Sequence, residues 1–102
     1  LAKKAGVDAA KVREALLGGF AQSRVLDVHG NRVLTGNYKP GFYVDLFAKD
    51  LRNVVATLAE YDVPAPISAI VQQLVHATMA AGRAKDDNSI MAKTVLELAR
   101  VE

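Results

Sequence analysis

The stretch FYVDLFAKDLRNVVATLAEYDVPAPISAIVQQLVHATMAAG, residues 42–82, decides the fold. From Val44 to Tyr61, Phe47, Leu51, Val54, Val55 and Leu58 recur at i, i+4, i+7, i+8 and i+11, which is one face of an α-helix. VPAP then ends that helix, because Pro64 and Pro66 lack amide donors and bias the residues before them away from α geometry. Pro66 suits a first helical position, and Ile67, Ile70, Val71, Leu74, Val75 and Met79 follow on one face up to Gly82. Neither period-two alternation nor a hairpin turn between β-branched runs interrupts this pattern. The prediction is an all-α fold.

Both flanks extend the same pattern. Asp8 is a good N-cap for a helix carrying Ala9, Val12, Ala15 and Leu16, which Gly18 and Gly19 end. A second helix begins at Ser23 and carries Val25, Leu26, Val28, Val33 and Leu34 before Gly36 closes it. Gly30 interrupts it, and the sequence leaves open whether it kinks or splits the helix. GNYKPG, residues 36–41, is turn chemistry. KDDNS supplies a cap through Asp87 or Asn88 for a last helix with Met91, Val95, Leu98 and Ala99. The expectation is a single domain over residues 1–102 with five to six helices. The opening LAKKAG reads as the last turn of a helix whose body precedes Leu1, so a fragment of a longer protein is expected.

Composition narrows the function. A chain of 102 residues has room for one modest core. Its 13 Lys and Arg are interspersed with 11 Asp and Glu for a net charge of +2, without the basic stripe that nucleic acid demands. With no cysteine there are neither disulfides nor thiolate metal sites. No apolar run approaches the roughly 20 residues of a membrane helix. The reading is a soluble, cytoplasmic protein with no nucleic-acid or membrane partner.

Most candidate chemistry has a plain structural explanation. His76 falls opposite Ile67 among Gln72 and Gln73, as a solvated residue, and His29 is read as a partner for terminal helix carbonyls, so no metal site is expected. Asp86, Asn88 and Ile90 mimic the start of a calcium loop, but Ile90 cannot ligate and the turn glycine is missing. Ser23 lacks a nucleophile elbow and reads as a cap. No glycine-rich phosphate cradle is present. The stretch NYKPGFYVDLFAKDLRN, residues 37–53, is different. Lys49 points away from the apolar stripe, whereas Asp50 sits at its edge, where a half-buried carboxylate wants donors. On these residues alone, Phe42 and Tyr43 pack at the helix entrance, Lys49 is solvated and Asp50 bonds a neighbouring loop.

Residues 12–60, continuing through VPAPISAIVQQL to DDNSIM, resemble the C-terminal helical domain of the β-hydroxyacid dehydrogenases. That family includes 3-hydroxyisobutyrate dehydrogenase and tartronate semialdehyde (2-hydroxy-3-oxopropionate) reductase. GGFAQSRVLDVHG and KPGFYVDLFAKDL look closest to the reductase branch. The fold so implied is the helical domain of 6-phosphogluconate dehydrogenase-like enzymes. The resemblance implies a partner Rossmann domain that binds NAD or NADP, a cleft between the two domains, and hydride transfer to or from a short 3-hydroxy acid or its semialdehyde. It also implies a homo-oligomer. The family's catalytic lysine, followed four residues later by asparagine, does not match Lys3 or Lys4, since Val7 and Asp8 occupy those later positions. That lysine is therefore expected upstream of Leu1, and this chain by itself should be silent. By the family pattern Lys49 reaches the nicotinamide cofactor, Phe42 closes over the nicotinamide and substrate end, and Asp50 helps hold the closed arrangement. In DDNSIM, Ile90 and Met91 depart from the family's Ala-Leu and look like packing positions. A freestanding helical dimerisation or nucleic-acid-binding module is the alternative of another class.

Overall fold

Five α-helices and one 3₁₀ turn follow from these capping and breaking signals in a computed structural model that describes residues 1–101. They are α1 (Ala9–Leu17), α2 (Arg24–Thr35), α3 (Val44–Glu60), α4 (Pro66–Ala80) and α5 (Met91–Leu98), with the 3₁₀ turn Asn88–Ile90 just before α5. Asp8 caps α1 by accepting from the amides of Ala10 and Lys11, and Ser23 caps α2 through the Leu26 amide. Gly36 closes α2 at φ 65°, a left-handed geometry that glycine adopts without a Cβ penalty. Pro66 opens α4 as its first residue. Residues 1–7 make the paired bonds by which helices terminate, Val7 N–H to the Ala2 carbonyl and Gly6 N–H to the Lys3 carbonyl.

α2 runs unbroken through Gly30, and tertiary packing gives the glycine its reason. Arg13 of α1 crosses there, its guanidinium donating to the Leu26 and Asp27 carbonyls and, at 2.8 Å, to the Asp27 carboxylate. A Cβ on Gly30 would come within 3.2 Å of the Arg13 Cδ. The helix therefore tolerates a weak helix former in exchange for a close crossing of α1 on α2.

α3 packs on α4, α4 on α5, and the 3₁₀ turn touches both α2 and α5. The buried hydrophobic residues among those described are Val44, Ala48, Val75 and Ile90, with Tyr38, Phe47, Leu51, Val71, Met79 and Met91 packed around them. Ile90 and Met91 are thus packing positions, as their chemistry suggests. Elsewhere the apolar stripes outrun the core. Ile67 and Ile70 are 71% and 59% exposed, and Val54, Val95 and Leu98 are also open, although periodicity assigned them to inward faces. α4 is apolar on most of its circumference, so period alone cannot select the face that α3 and α5 cover. His76 is exposed, on the polar side.

Between α4 and α5 lies a buried hydroxyl pair. Thr78 donates to the Leu74 carbonyl at 2.8 Å, so its single hydrogen is committed and Thr94 donates to the Thr78 oxygen, also at 2.8 Å. Thr78→Val should therefore cost about 1–2 kcal/mol by stranding the Thr94 hydroxyl, and Thr78→Val with Thr94→Val should cost less than that single change. Chemical denaturation of the four forms of this double-mutant cycle measures the coupling, and strict additivity would contradict it.

Candidate functional site

Residues 36–43 join α2 to α3, and backbone hydrogen bonds staple residues 38–45 to residues 84–88, which lie between α4 and α5. Asp87 N–H donates to the Tyr38 carbonyl, Asn88 N–H to the Phe42 carbonyl at 2.8 Å, and the amides of Val44 and Asp45 to the carbonyls of Asp86 and Ala84. Tyr43 and Asp87 pair across an isolated antiparallel bridge. Lys85 adds an ion pair to Asp45, and its ammonium stands 5.5 Å from the centre of the Tyr43 ring. The start of α3 is therefore held in place by an irregular segment through four backbone hydrogen bonds.

Asp87 is the polar centre of this junction, 1% exposed. One carboxylate oxygen accepts from the amides of Gly41 (2.9 Å) and Phe42 (3.2 Å) and lies 3.3 Å from Arg32 Nη1. The other accepts from the Ser89 amide (3.1 Å) and hydroxyl (2.6 Å), with His29 Nδ1 at 3.7 Å. Burial alone would push this carboxyl upward. The Ser89 hydroxyl and the amides of Gly41, Ser89 and Phe42 more than offset it and hold the pKa at about 2. Gly41 leaves room for both partners, since a Cβ would crowd the Arg32 guanidinium at 3.2 Å and Asp87 at 3.4 Å. Arg32 Nη1 also donates to the Lys39 carbonyl at 2.6 Å, gripping the residue before Pro40.

Two expectations change. His29 does not meet terminal carbonyls, because α2 does not end at Gly30 and the carbonyls there are already used within the helix. It faces Asp87 instead, and its Nδ1 is buried without a hydrogen bond. Asp50 finds its donor not in a neighbouring loop but in the adjacent Lys49, whose Nζ is 2.8 Å from the carboxylate. Lys49 points outward as its helical position requires, and the two side chains keep 55% and 50% of their surface open. Phe42, 37% exposed, directly precedes Tyr43, the N-cap residue of α3. Leu46, 42% exposed, stands one turn before Lys49 and Asp50 on the same side. α3 thus turns Val44 and Ala48 into the core and presents Leu46, Lys49 and Asp50 outward, with Phe42 at its entrance. Asp87 and Arg32 were not legible as partners of this segment. The one available signal was the Pro-Gly turn itself, whose amides at Gly41 and Phe42 no helix or strand satisfies.

Among the described residues no three His, Asp or Glu side chains converge to hold a metal ion, and no helix is long and apolar enough to cross a membrane. An open, largely apolar cleft of about 410 Å³ runs between α2, α3, α4 and α5, with His29, Val33, Phe47, Val71, Asn88 and Met91 on its walls.

Residues 1–95 match the family model described as "NAD-binding of NADP-dependent 3-hydroxyisobutyrate dehydrogenase". The chain belongs to that family. Among relatives of the 3-hydroxyisobutyrate dehydrogenase family, it is 37% identical over 94 residues to 2-hydroxy-3-oxopropionate reductase from Escherichia coli (strain K12), covering 92% of this chain and 32% of the relative. It is 40% identical over 73 residues to a probable mitochondrial 3-hydroxyisobutyrate dehydrogenase-like protein of Arabidopsis thaliana, covering 72% of this chain and 22% of that one. The crystal structure of a 3-hydroxyisobutyrate dehydrogenase from Salmonella typhimurium superposes with a TM-score of 0.85 at 26% identity, over 90% of this chain and 32% of that chain. The chain thus spans about a third or less of the length of these relatives.

The charge on Asp87 carries a pH signature. A carboxyl held at about 2 against an ordinary 3.8 stabilises the fold fully above pH 4, and that contribution, about 2 kcal/mol, disappears as pH falls through 2. Asp87→Asn should lower stability at neutral pH by about 2–3 kcal/mol and flatten the pH dependence between 4 and 2, as measured by denaturation at each pH.

Proposed function

We propose that this chain is the helical domain of an NAD(P)-dependent oxidoreductase that interconverts a short 3-hydroxy acid and its semialdehyde. The carbonyl substrate of this reading is 2-hydroxy-3-oxopropionate, reduced to glycerate. What carries it is the 37% identity to the reductase over 92% of the chain, which includes KPGFYVDLFAKDL. The Arabidopsis relative, 40% identical over a shorter span, favours 3-hydroxyisobutyrate as the second reading.

The outward face of α3 is one wall of the cofactor cleft in this reading, opposite a Rossmann domain supplied by the rest of the protein. A nicotinamide bound there gives or takes the hydride. The residues on this wall suit its ribose and ring end: Lys49 offers an accessible ammonium to hydroxyl or phosphate oxygens, and Phe42 offers an open aromatic face. Asp50, paired with Lys49, limits the directions in which the ammonium points and so helps hold the closed arrangement. In this reading the phosphate cradle and the family's proton-transfer lysine belong to the Rossmann side of the cleft and not to this wall. Charges carried on a helix whose other face is core are held more rigidly than charges on a loop, which is what positioning a cofactor requires. The same reading places the enzyme in the cytoplasm as a homo-oligomer, with the open apolar residues Tyr61, Val63, Ile67 and Ile70 available for contact between copies.

In the full-length enzyme Lys49→Ala should raise the cofactor KM about tenfold, the loss of one charge-assisted hydrogen bond, with the thermal midpoint preserved. Phe42→Ala should lower kcat/KM for 2-hydroxy-3-oxopropionate with NADH or NADPH, whichever serves better. Steady-state kinetics of both variants decide the matter, and wild-type parameters in both would return this face to ordinary solvated surface.

A further inference from the structure

Phe42 keeps 37% of its surface open at the entrance to α3, outside the buried core cluster. Its backbone, in contrast, is held at both ends: the amide donates to Asp87 at 3.2 Å and the carbonyl accepts from Asn88 N–H at 2.8 Å. The neighbouring Gly41 amide donates to the same Asp87 oxygen, and Arg32, reaching from α2, lies against that oxygen while donating to the Lys39 carbonyl on the other side of Pro40. We infer that Arg32 and Asp87 are positioning residues for Phe42: through one carboxylate oxygen and one guanidinium they set the turn that aims the aromatic ring. The inference rests on the reading of Phe42 as the aromatic that closes over the nicotinamide and substrate.

The two oxygens of Asp87 divide the work. Oδ2 serves the 39–42 turn and Arg32, whereas Oδ1 serves Ser89, in the carboxylate's own turn, and faces His29. A change on the Oδ1 side perturbs the α4–α5 junction and leaves the bonds to Gly41 and Phe42 in place. A change on the Oδ2 side releases the turn directly. Arg32, with 27% of its side chain exposed, can be altered without opening the core. It removes the grip on the turn and leaves the Asp87 carboxylate with its four amide and hydroxyl donors.

The test is kinetic, in the full-length enzyme with 2-hydroxy-3-oxopropionate and the preferred reduced nicotinamide. Arg32→Gln should lower kcat/KM about tenfold, and combining it with Phe42→Ala should give a loss no larger than Phe42→Ala alone, because both act through the same ring. Ser89→Ala should lower the thermal midpoint yet keep kcat/KM within about twofold of wild type. Asp87→Asn, where it folds, should resemble Arg32→Gln in the same cycle. A fall in thermal midpoint with unchanged kcat/KM in Arg32→Gln, or losses that simply add in the double variant, would overturn the positioning role while leaving that of Phe42 intact. Wild-type kinetics in Phe42→Ala itself would instead sink the reading of Phe42, and the inference with it.

Discussion

A carboxylate with 1% of its surface exposed is the constraint around which this domain is arranged. Removing a charge from water costs several kcal/mol unless donors replace the lost hydration. Asp87 finds them in three separate pieces of chain: Arg32 on α2, the amides of Gly41 and Phe42 in the turn before α3, and Ser89 at the entrance to α5. None of these pieces can move far without stranding the charge. The carboxylate therefore does for the α2–α3 and α4–α5 connections what a larger hydrophobic core would otherwise do.

That role matters more because the core is small. Val44, Ala48, Val75 and Ile90 are its buried apolar members among the described residues, in a body of 43 × 33 × 25 Å. Polar contacts supplement it where α1 meets α2 and where α4 and the residues after it meet α5. Arg13 spans α1 and α2, the Thr78–Thr94 hydroxyl pair joins α4 to α5, and Arg83 holds Glu97 through two hydrogen bonds of 2.9 and 2.6 Å. Such contacts are directional, so they specify which helix faces meet even where apolar area is scarce. The same economy leaves α3 free to present Leu46, Lys49 and Asp50 outward, on a helix whose opposite side is anchored by Val44 and Ala48.

The parts of the fold that depend on neighbours along the chain were legible in the sequence. Asp8 and Ser23 as caps, Gly36 as a stop and Pro66 as a helix start each act within a few residues, and each appears where its chemistry requires it. Lys49 facing outward follows from helical geometry once α3 is recognised. Faces set by distant partners were not legible. Ile67 and Ile70 have the same apolar character as Val71 and Val75, and only the placement of α3 and α5 separates open from buried. His29 looked like a residue beside a helix end because Gly30 looked like a break, whereas Gly30 answers to Arg13 of another helix.

By itself, then, the sequence determined the element types and most of their ends, because capping, proline geometry and a helical period are local interactions that need no tertiary partner. It also carried the family resemblance, whose match extends over residues 1–95. Only the tertiary structure decided what Asp87 is for. A carboxylate before Ser89 reads locally as a turn cap, and it is one, through the Ser89 amide. Its second oxygen meets amides 46 and 45 residues away, and such a pairing exists only after the two interhelical segments have been brought together.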